Sequence, residues 1–339
     1  MAVTIVDVAR RAGVSVATAS RVLSGSSYGV SPELRARVLA AARELNYIPN
    51  AHARALVRAS TALVGVIVHD VSDPYFAEIT RGIQRVATEA RRLVTVCNSY
   101  RDPERELEYV RTLAAQRVEA LVLAGTGLDD LEYSRRLAQE LEAFGATGGR
   151  VVFISRHHVP GDAVLPDNFG GARAMGQVLI EMGHRRIGVI TGPELATTTR
   201  DRFDGFASAL REAGVPLPPE RVVRGDFTRD SGYAAARRLM DQAPDTTAIF
   251  CLNDQMAIGA LTALRQAGYR VPHDVSVAGF DDIPLVQDLV PALSTVHIPM
   301  AEMGARAMSL ALAPRSNEMR VDHIAARVVL RESTAPPQR

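Results

Sequence analysis

The sequence predicts a small all-α headpiece of three helices, followed by an α/β core made of two doubly wound parallel-sheet lobes. Two observations lead to this fold class. The first part of the chain carries three short stretches with the apolar spacing of helices. From residue 61 onwards, apolar runs typical of buried strands recur about 25–30 residues apart, with amphipathic helical stretches between them.

The first two helices are predicted to form a helix-turn-helix. Thr4 and Asp7 have the spacing of a capping box, and apolar residues at helical spacing extend the first helix to Ala12. Gly13 then allows a tight turn, and Ser15 is placed to cap a second helix. Two helices separated by about three residues are the helix-turn-helix arrangement.

A third helix and a linker complete the headpiece. Ser31 suits an N-cap and Pro32 suits the first helical position. Further on, Pro49 disfavours helix at Ile48, which indicates a linker. The predicted division of the chain is a headpiece at 1–49, a hinge segment at 50–60 and a core at 61–339.

The core contains more strands than one small sheet needs. Eight runs are predicted as strands, namely LVGVIVHD, LVTVCNS, EALVLAG, RVVFIS, RRIGVITG, RVVRGD, AIFCLN and VSVAGFDD. Two similar lobes accommodate them, and the cleft between lobes is a natural ligand site. The tail from Ser333 is expected to be frayed.

Composition excludes several classes of protein. No run approaches about eighteen apolar residues and the first residues lack a signal-peptide layout, so we expect a cytoplasmic protein without a membrane partner. All 39 basic residues are arginine, which excludes the lysine of a phosphate loop, a Schiff base or a kinase. Cys97 and Cys251 lie in apolar runs and are expected to be buried free thiols.

Catalytic chemistry has little support in the sequence. The pair His157-His158 is the one suggestive metal-binding cluster, and it lacks two further ligands at a recognisable spacing. A solvated loop is the expected setting for both histidines. We therefore predict no enzyme activity, no metal and no cofactor.

Charge is distributed unevenly along the chain. Residues 1–60 hold eight arginines against three acidic residues, a net charge of +5, so that the remainder carries −4 of the overall +1. A basic N-terminal segment with a helix-turn-helix favours DNA as its partner.

The second helix presents the side chains suited to contact DNA. Val16, Ala17, Ser20 and Arg21 are predicted to lie opposite its inward face. Arg21 can donate two hydrogen bonds to guanine, Val16 and Ala17 can contact a thymine methyl, and Thr18 and Ser20 can contact phosphates. The alternative is an ordinary solvated helix face.

The segment after the linker, Asn50-AHARALV, is too short to form a stable helix alone. Ala53, Arg54 and Leu56 suit a helix that folds on DNA, with Leu56 inserted as a wedge between base pairs in the minor groove. The alternative is a flexible linker with incidental arginines.

Three stretches resemble the LacI/GalR family of bacterial repressors: TIVDVARRAGVSVATASRVLSG, VSPELRARVLAAARELNYIPNAHARAL and VVLRESTAPP. The resemblance extends over essentially the whole chain and implies a periplasmic-binding-protein-like core of type I. It places Val16 and Ala17 at the family's specificity positions, Arg21 at a further base-contacting position and Leu56 at the hinge leucine. The predicted DNA contacts are Thr4, Ser15, Val16, Ala17, Thr18, Ser20, Arg21, Asn50, Ala53, Arg54 and Leu56.

A second set of residues lies just past the predicted strand ends, where open α/β sheets bind ligands. Their hydrogen-bonding and aromatic side chains favour a sugar over a lipid. The predicted effector contacts are Tyr75, Phe76, Arg156, Arg202, Phe227, Asn253, Asp254 and Asp281. The resemblance supports all of these except Arg156 and Asp254. It also shows two departures, since Ser155 stands where many members have aspartate and Asp73 where asparagine is common.

The resemblance further implies a homodimer that binds a palindromic operator, with LSTVHIPMAEMGARAMSLAL as a crossover and dimer helix. The expected function is a repressor whose operator affinity depends on a small molecule bound between the lobes. The alternative is a sugar-binding protein without a DNA role, which would share the core and lack the basic helix-turn-helix.

Overall fold

The structure is a computed structural model that describes residues 3–23, 29–47, 62–316 and 318–338. It divides into two compact units, one helical and one α/β. The helical unit contains the headpiece, and the α/β unit takes in nearly all of the chain from Leu63 onwards. Each unit is described by itself.

The headpiece contains the three predicted helices, and their caps form as the sequence predicts. The Asp7 carboxylate accepts hydrogen bonds from the Thr4 backbone N–H at 3.0 Å and the Thr4 hydroxyl at 2.7 Å. Ser15 Oγ accepts from the Thr18 N–H at 3.1 Å. The helices are α1 at Ile5–Ala12, α2 at Val16–Leu23 and α3 at Pro32–Glu44.

Small side chains allow the headpiece helices to pack closely. Val8, Ala19 and Val38 are fully buried between them. Gly13 ends α1 with a φ of +63°, a conformation that glycine adopts without strain. A Cβ at this position would lie 2.8 Å from the Arg37 guanidinium, which donates a 2.6 Å hydrogen bond to the Ala12 carbonyl. The turn and the third helix are thereby joined.

The first lobe of the α/β unit is built on a six-stranded parallel sheet in the order β11-β5-β4-β3-β1-β2. Its strands are β1 at Leu63–Val68, β2 at Leu93–Asn98, β3 at Ala120–Leu123, β4 at Arg150–Ile154, β5 at Asp162–Pro166 and β11 at Val321–Ile324. Its helices are α4 at Pro74–Glu89, α5 at Pro103–Ala115, α6 at Leu131–Ala146 and α11 at Met300–Leu312.

The second lobe is built on a four-stranded parallel sheet in the order β7-β6-β8-β9. Its strands are β6 at Ile187–Thr191, β7 at Val222–Arg224, β8 at Ala248–Cys251 and β9 at Ser276–Ala278. Its helices are α7 at Asn168–Glu181, α8 at Thr197–Glu212, α9 at Arg229–Gln242 and α10 at Asp254–Gln266, with 3₁₀ turns at Pro219–Arg221 and Pro284–Gln287.

The two parallel sheets confirm the predicted fold class, and all eight predicted strands are present. Four further strands were not predicted: β5, β11, and the antiparallel pair of β10 at Thr295–His297 with β12 at Arg327–Val329. These segments are short and carry polar or charged residues, so hydrophobic periodicity does not distinguish them from loops.

Helix α11 returns the chain to the first lobe and packs tightly on α4. Gly82 and Gly304 make this contact possible. A Cβ at Gly82 would overlap the backbone of Ala301, and a Cβ at Gly304 would overlap the backbone of Ile79. The two helices therefore approach to backbone contact.

The expectation of a frayed tail is wrong. Ser333 is fully buried, and its hydroxyl donates to the Val277 carbonyl at 2.6 Å and accepts from the Ser294 N–H at 2.8 Å. Ala335 continues the attachment through a 3.1 Å hydrogen bond from its N–H to Ser276 Oγ. The tail is ordered because it satisfies polar groups along β9 that would otherwise be buried without partners.

Two further expectations can be compared with the fold. Cys251 is a buried free thiol, whereas Cys97 is also free but only partly buried. Within the described ranges, we find no helix with the length and apolar character needed to cross a membrane.

Replacing Ser333 by alanine should destabilise the α/β unit. The Ser294 N–H would lose its acceptor in a dry site, which costs about 1–3 kcal/mol of unfolding free energy. Urea denaturation followed by circular dichroism measures the loss. The matched control is Ser309→Ala, because Ser309 is exposed and bonds only within α11, so the expected change there is below about 0.5 kcal/mol. Equal effects of the two variants would contradict the structural role of the tail.

Candidate ligand cavity and DNA-binding surface

A cavity lies between the two lobes, where the carboxyl ends of their strands meet. Both lobes contribute to its wall. The lining residues are His69, Asp73, Tyr75, Phe76, Arg101, Gly125, Thr126, Ser155, Thr198, Arg202, Phe227, Asn253 and Asp281. Six of the eight predicted effector contacts are among them, namely Tyr75, Phe76, Arg202, Phe227, Asn253 and Asp281.

Arg202 is the best-anchored side chain of the cavity. It is 3% exposed, and its guanidinium donates to Asn168 Oδ1 at 2.9 Å, to the Leu252 carbonyl at 2.6 Å and to Asp281 Oδ1 at 2.8 Å. The ring of Phe280 lies beneath it at 3.7 Å from the centroid. A cation held on three sides in this way is fixed in position before any ligand arrives.

Asp281 forms the other half of a buried ion pair. Burial raises the pKa of its carboxyl to about 7, and the Arg202 guanidinium opposes that rise. Asn253 stands beside this pair, and its amide donates to the Phe227 carbonyl at 3.0 Å while its oxygen caps α10 through Met256 N–H at 3.0 Å. The polar floor of the cavity is thus held by the protein itself.

Asp254 does not line the cavity, and the expectation that it contacts the effector needs correction. Its two carboxylate oxygens accept from the Ile283 N–H at 2.9 Å and from Thr295 Oγ1 at 2.6 Å, inside the second lobe. Burial raises the pKa of Asp254 well above its ordinary value. Its position at the start of α10 directs the side chain towards the loop after β9.

Arg156 also lies outside the cavity lining. Its guanidinium forms a bidentate pair with Asp201 of α8, with nitrogen-to-oxygen distances of 2.7 and 3.2 Å. Since Arg156 follows β4 of the first lobe, this pair links the two lobes. The strand-end rule located the residue correctly at the cleft, but the adjacent carboxylate redirects the side chain away from the ligand space.

Four cavity residues hold their backbone in the left-handed region that favours glycine. Their φ angles are +60° at Arg101, +82° at Ser155, +72° at Phe227 and +119° at Asp281. Each follows a strand, so the sharp turn aims the side chain back over the sheet edge. Strained non-glycine backbone gathers at functional sites because the surrounding structure must be built to hold it.

Sequence reasoning missed several lining residues. His69 follows β1, Arg101 follows β2 and Thr126 follows β3. The rule that ligands bind at strand ends could have found them. Thr198, in contrast, lies in the first turn of α8, and only the packing of that helix across the cleft brings it to the cavity.

His69 contributes an uncharged side chain to the wall of the cavity. Its Nε2 accepts the Thr126 N–H at 3.0 Å, which places the ring proton on Nδ1, 3.3 Å from Ser99 Oγ. Burial lowers the pKa of His69 to about 3. Its ring meets Phe76 edge-on, with centroids 5.4 Å apart, and Phe76 meets Tyr75 in the same way at 4.9 Å.

The two adjacent histidines lie in the loop between β4 and β5, as expected, but only His158 is solvent-exposed, whereas His157 is partly buried. His157 stacks on Phe153 with ring centroids 4.5 Å apart, and burial lowers its pKa to about 4. His158 is exposed and pairs with Asp129. No cluster with enough ligands to hold a metal ion occurs in the part of the chain that the structure describes.

The second headpiece helix presents the predicted outward face. Val16 is 43% exposed, and Ala17 and Arg21 are also exposed, whereas Thr18 and Ser20 are half-buried. Thr4 and Ser15 lie at the starts of α1 and α2, where backbone N–H groups favour an anion such as a phosphate. The predicted contacts Asn50, Ala53, Arg54 and Leu56 lie outside the described residues.

Comparison with known proteins connects both surfaces to one family. A family model described as bacterial regulatory proteins of the lacI family matches residues 4–50. A model of the periplasmic binding protein-like domain matches residues 177–334. The chain is 36% identical over 314 residues to the HTH-type transcriptional repressor PurR of Proteus mirabilis, covering 91% of this chain and 89% of the relative. The chain belongs to the LacI family.

Other LacI-family proteins agree with this result. The HTH-type transcriptional regulator GalS of Salmonella typhimurium is 39% identical over 313 residues, with 91% of this chain and 89% of the relative covered. The solved complex of the transcriptional regulator CelR with cellobiose is 34% identical with a TM-score of 0.72, covering 98% and 99% of the two chains. The lac repressor dimer bound to operator and the anti-inducer ONPF is 28% identical with a TM-score of 0.83, covering 99% and 100%.

This LacI-family protein is a DNA-binding transcriptional regulator and not an enzyme. The family models match its helix-turn-helix and, within the two-lobed core, residues 177–334.

Replacing Arg202 by methionine should strongly destabilise the second lobe. The change leaves the Asp281 carboxylate buried without its cation, which costs about 3–5 kcal/mol of unfolding free energy. Thermal and urea denaturation measure the loss. Arg270→Met is the matched control, because the Arg270–Asp274 pair is solvent-exposed on its arginine side and its loss should have a much smaller effect. Similar losses in both variants would contradict the buried-pair assignment.

Because His157 is held neutral in the folded protein, it contributes a loss of stability on acidification, and buried His69, with a pKa of about 3, contributes in the same direction. The pKa of His157 is about 4 in the folded protein against 6.5 in a free chain, so the unfolded state takes up a proton first. The stabilisation is complete above about pH 6.5 and is lost as the pH falls towards 4. Glu106 and Asp281, whose pKa values burial raises to about 7, act in the opposite direction.

Comparing two variants separates the contribution of His157 to the pH dependence of stability from the contributions of Glu106 and Asp281. His157→Gln should flatten the dependence of unfolding free energy on pH between 6.5 and 4, measured by urea denaturation at several pH values. His273→Gln, at an exposed histidine, is the control and should leave the slope as it is. An unchanged slope in His157→Gln would refute the assignment.

Proposed function

We propose that this regulator is a repressor that binds a palindromic operator as a homodimer, and that a sugar or sugar derivative held between the lobes controls its operator affinity. The observation that carries the proposal is the presence, in one chain, of an exposed Val16-Ala17-Arg21 helix face and a strand-end cavity with a preformed polar floor. We propose the same division of roles along the chain: a headpiece at 1–49, a hinge at 50–60 and an effector-binding and dimerisation domain at 61–339.

The DNA contacts are proposed from the chemistry of α2. A guanidinium on Arg21 suits the O6 and N7 edge of guanine, and the apolar Val16 and Ala17 suit thymine methyl groups. Thr4, Ser15, Thr18 and Ser20 would contact phosphates from the helix starts and flanks. Asn50, Ala53, Arg54 and Leu56 would form a minor-groove hinge, with Leu56 as the wedge. A structural relative is a dimer bound to its operator.

The effector contacts are proposed from the cavity. Arg202, Asn253 and Asp281 provide polar groups for hydroxyls, while Phe76 and Phe227 provide apolar faces for a ring. Tyr75 would complete the set. Solved relatives contain cellobiose in one case and ribose in another, and both support a sugar here.

Control of DNA binding is proposed to operate through closure of the lobes. Contacts already cross the cleft, because the Arg156–Asp201 pair, an antiparallel bridge between Leu128 and Ala196, and the 3.1 Å hydrogen bond from Thr198 N–H to Thr126 Oγ1 join the two sides. A ligand that changes this closure would change how two hinge segments are juxtaposed in the dimer. Operator affinity and effector affinity are then coupled.

The alternative function is a sugar-binding protein without a DNA role. The match of residues 4–50 to lacI-family regulatory proteins speaks against it. A repressor of this kind would act in the cytoplasm and associate with the nucleoid when bound to its operator.

The experiment is a footprinting and gel-shift measurement on the DNA upstream of the protein's own gene. Arg21→Ala should weaken binding to the protected palindrome by about 1–3 kcal/mol and relax specificity at one base pair. Arg43→Ala, which removes an exposed positive charge from α3, is the control and should weaken specific and non-specific binding alike. Absence of any salt-dependent protection of a palindrome would sink the proposal.

A further inference from the structure

A second cavity adjoins the one already described. It lies between the same two lobes, is partly open to solvent, and shares His69, Arg101 and Thr126 with the first. We call the first the inner cavity and the second the outer chamber. The shared side chains place the two spaces next to each other, with Arg101 at their junction.

The outer chamber combines apolar and polar walls. Leu128, Leu195 and Pro103 supply apolar surface. Tyr133 and Glu106 supply a buried hydroxyl and carboxyl, with the tyrosine hydroxyl donating to one carboxyl oxygen. The other carboxyl oxygen remains as an acceptor. A pyranose ring, with apolar C–H faces and hydroxyls at its rim, matches such a surface.

The junction residue has a polar atom without a partner. The Nε of Arg101 is buried and lacks a hydrogen bond within the described structure. Its guanidinium stands 5.7 Å from the centroid of the Phe227 ring, across the cleft. A buried donor without an acceptor lowers the stability of the protein. Ligand binding is therefore favoured when the ligand supplies an oxygen that accepts a hydrogen bond from this donor.

Carboxyl groups outnumber guanidinium groups in the lining of the two cavities, where six acidic residues accompany Arg101, Arg202 and Arg224. Arg202 is paired with Asp281 in the inner cavity, and Arg224 is paired with Glu194 at the outer chamber. Burial lowers the pKa of Arg101, and the nearby carboxylates of Asp73 and Asp226 oppose that shift. An anionic ligand would therefore meet no uncompensated positive charge in either space, and a neutral ligand is favoured.

We infer that the effector is a neutral sugar two rings long, with one ring in the inner cavity, the other in the outer chamber, and oxygens near the linkage accepting the Arg101 Nε–H. This inference rests on the proposed function, because it assumes that a sugar occupies the inner cavity. It adds the length and the charge of that sugar.

Isothermal titration calorimetry on the full chain tests the inferred length and charge of the effector. The probes are cellobiose, maltose and lactose against glucose, galactose and ribose, with glucose 6-phosphate, glucuronate, hypoxanthine and guanine as further arms. At least one disaccharide should bind about tenfold or more tightly than its component monosaccharides. A monosaccharide that binds as tightly as any disaccharide, or a preference for a charged sugar or a nucleobase, would overturn the inference.

Two variants locate the second ring. Leu195→Trp fills the outer chamber from a side chain that is 51% exposed, and should bring the ratio of disaccharide to monosaccharide affinity close to one. Leu131→Trp, at an 88% exposed leucine that lines neither space, is the matched control and should retain the wild-type ratio. Arg101→Met should reduce the ratio in the same direction as Leu195→Trp.

If Leu195→Trp leaves the ratio of disaccharide to monosaccharide affinity unchanged, the second ring does not lie in the outer chamber and the inference is overturned. Operator gel shifts on the same preparations separate this failure from failure of the proposed function. Intact operator binding that responds to a monosaccharide would leave the repressor standing and remove the two-ring effector.

Discussion

The buried guanidinium of Arg202 is the interaction on which the ligand site depends. It joins the start of α7 through Asn168, the end of β8 through Leu252 and the end of β9 through Asp281. These three segments are distant in sequence, and a single planar cation with donors in several directions can bind all of them. The polar floor of the cavity is therefore a structural element as well as a binding surface, and its geometry is set before a ligand enters.

The opposite wall is organised by strain and by hydrogen bonds that cross between the lobes. Arg101 and Ser155 hold left-handed backbone at the ends of β2 and β4, and Thr126 accepts from the Thr198 N–H of the second lobe. The lobes thus contact each other directly around a space they leave open. A site of this kind can respond to a ligand by changing the closure of the lobes, because the ligand and the crossing contacts act on the same gap.

The sequence located many of the residues of the site but not what their side chains do there. Arg156 and Asp254 lie at strand ends, as the rule for open sheets requires, and yet neither faces the ligand space, because each has nearer partners. Arg101 was overlooked although it obeys the same rule. The position of a residue along the chain predicts whether it lies at the carboxyl edge of the sheet. The direction in which its side chain points depends on carboxylates and backbone groups that other segments of the chain bring close to it.

The sequence by itself determined the helix-turn-helix and the eight main strands. These features follow from local signals, namely helix caps, apolar periodicity and turn residues, which act over a few neighbouring positions. Only the tertiary structure decided the course of β5, β10, β11 and β12, the attachment of the tail through Ser333, and the adjacency of the two cavities. Each of these features depends on hydrogen bonds and packing between segments that are far apart in the chain. Short polar stretches have no periodic pattern from which such long-range contacts could be predicted.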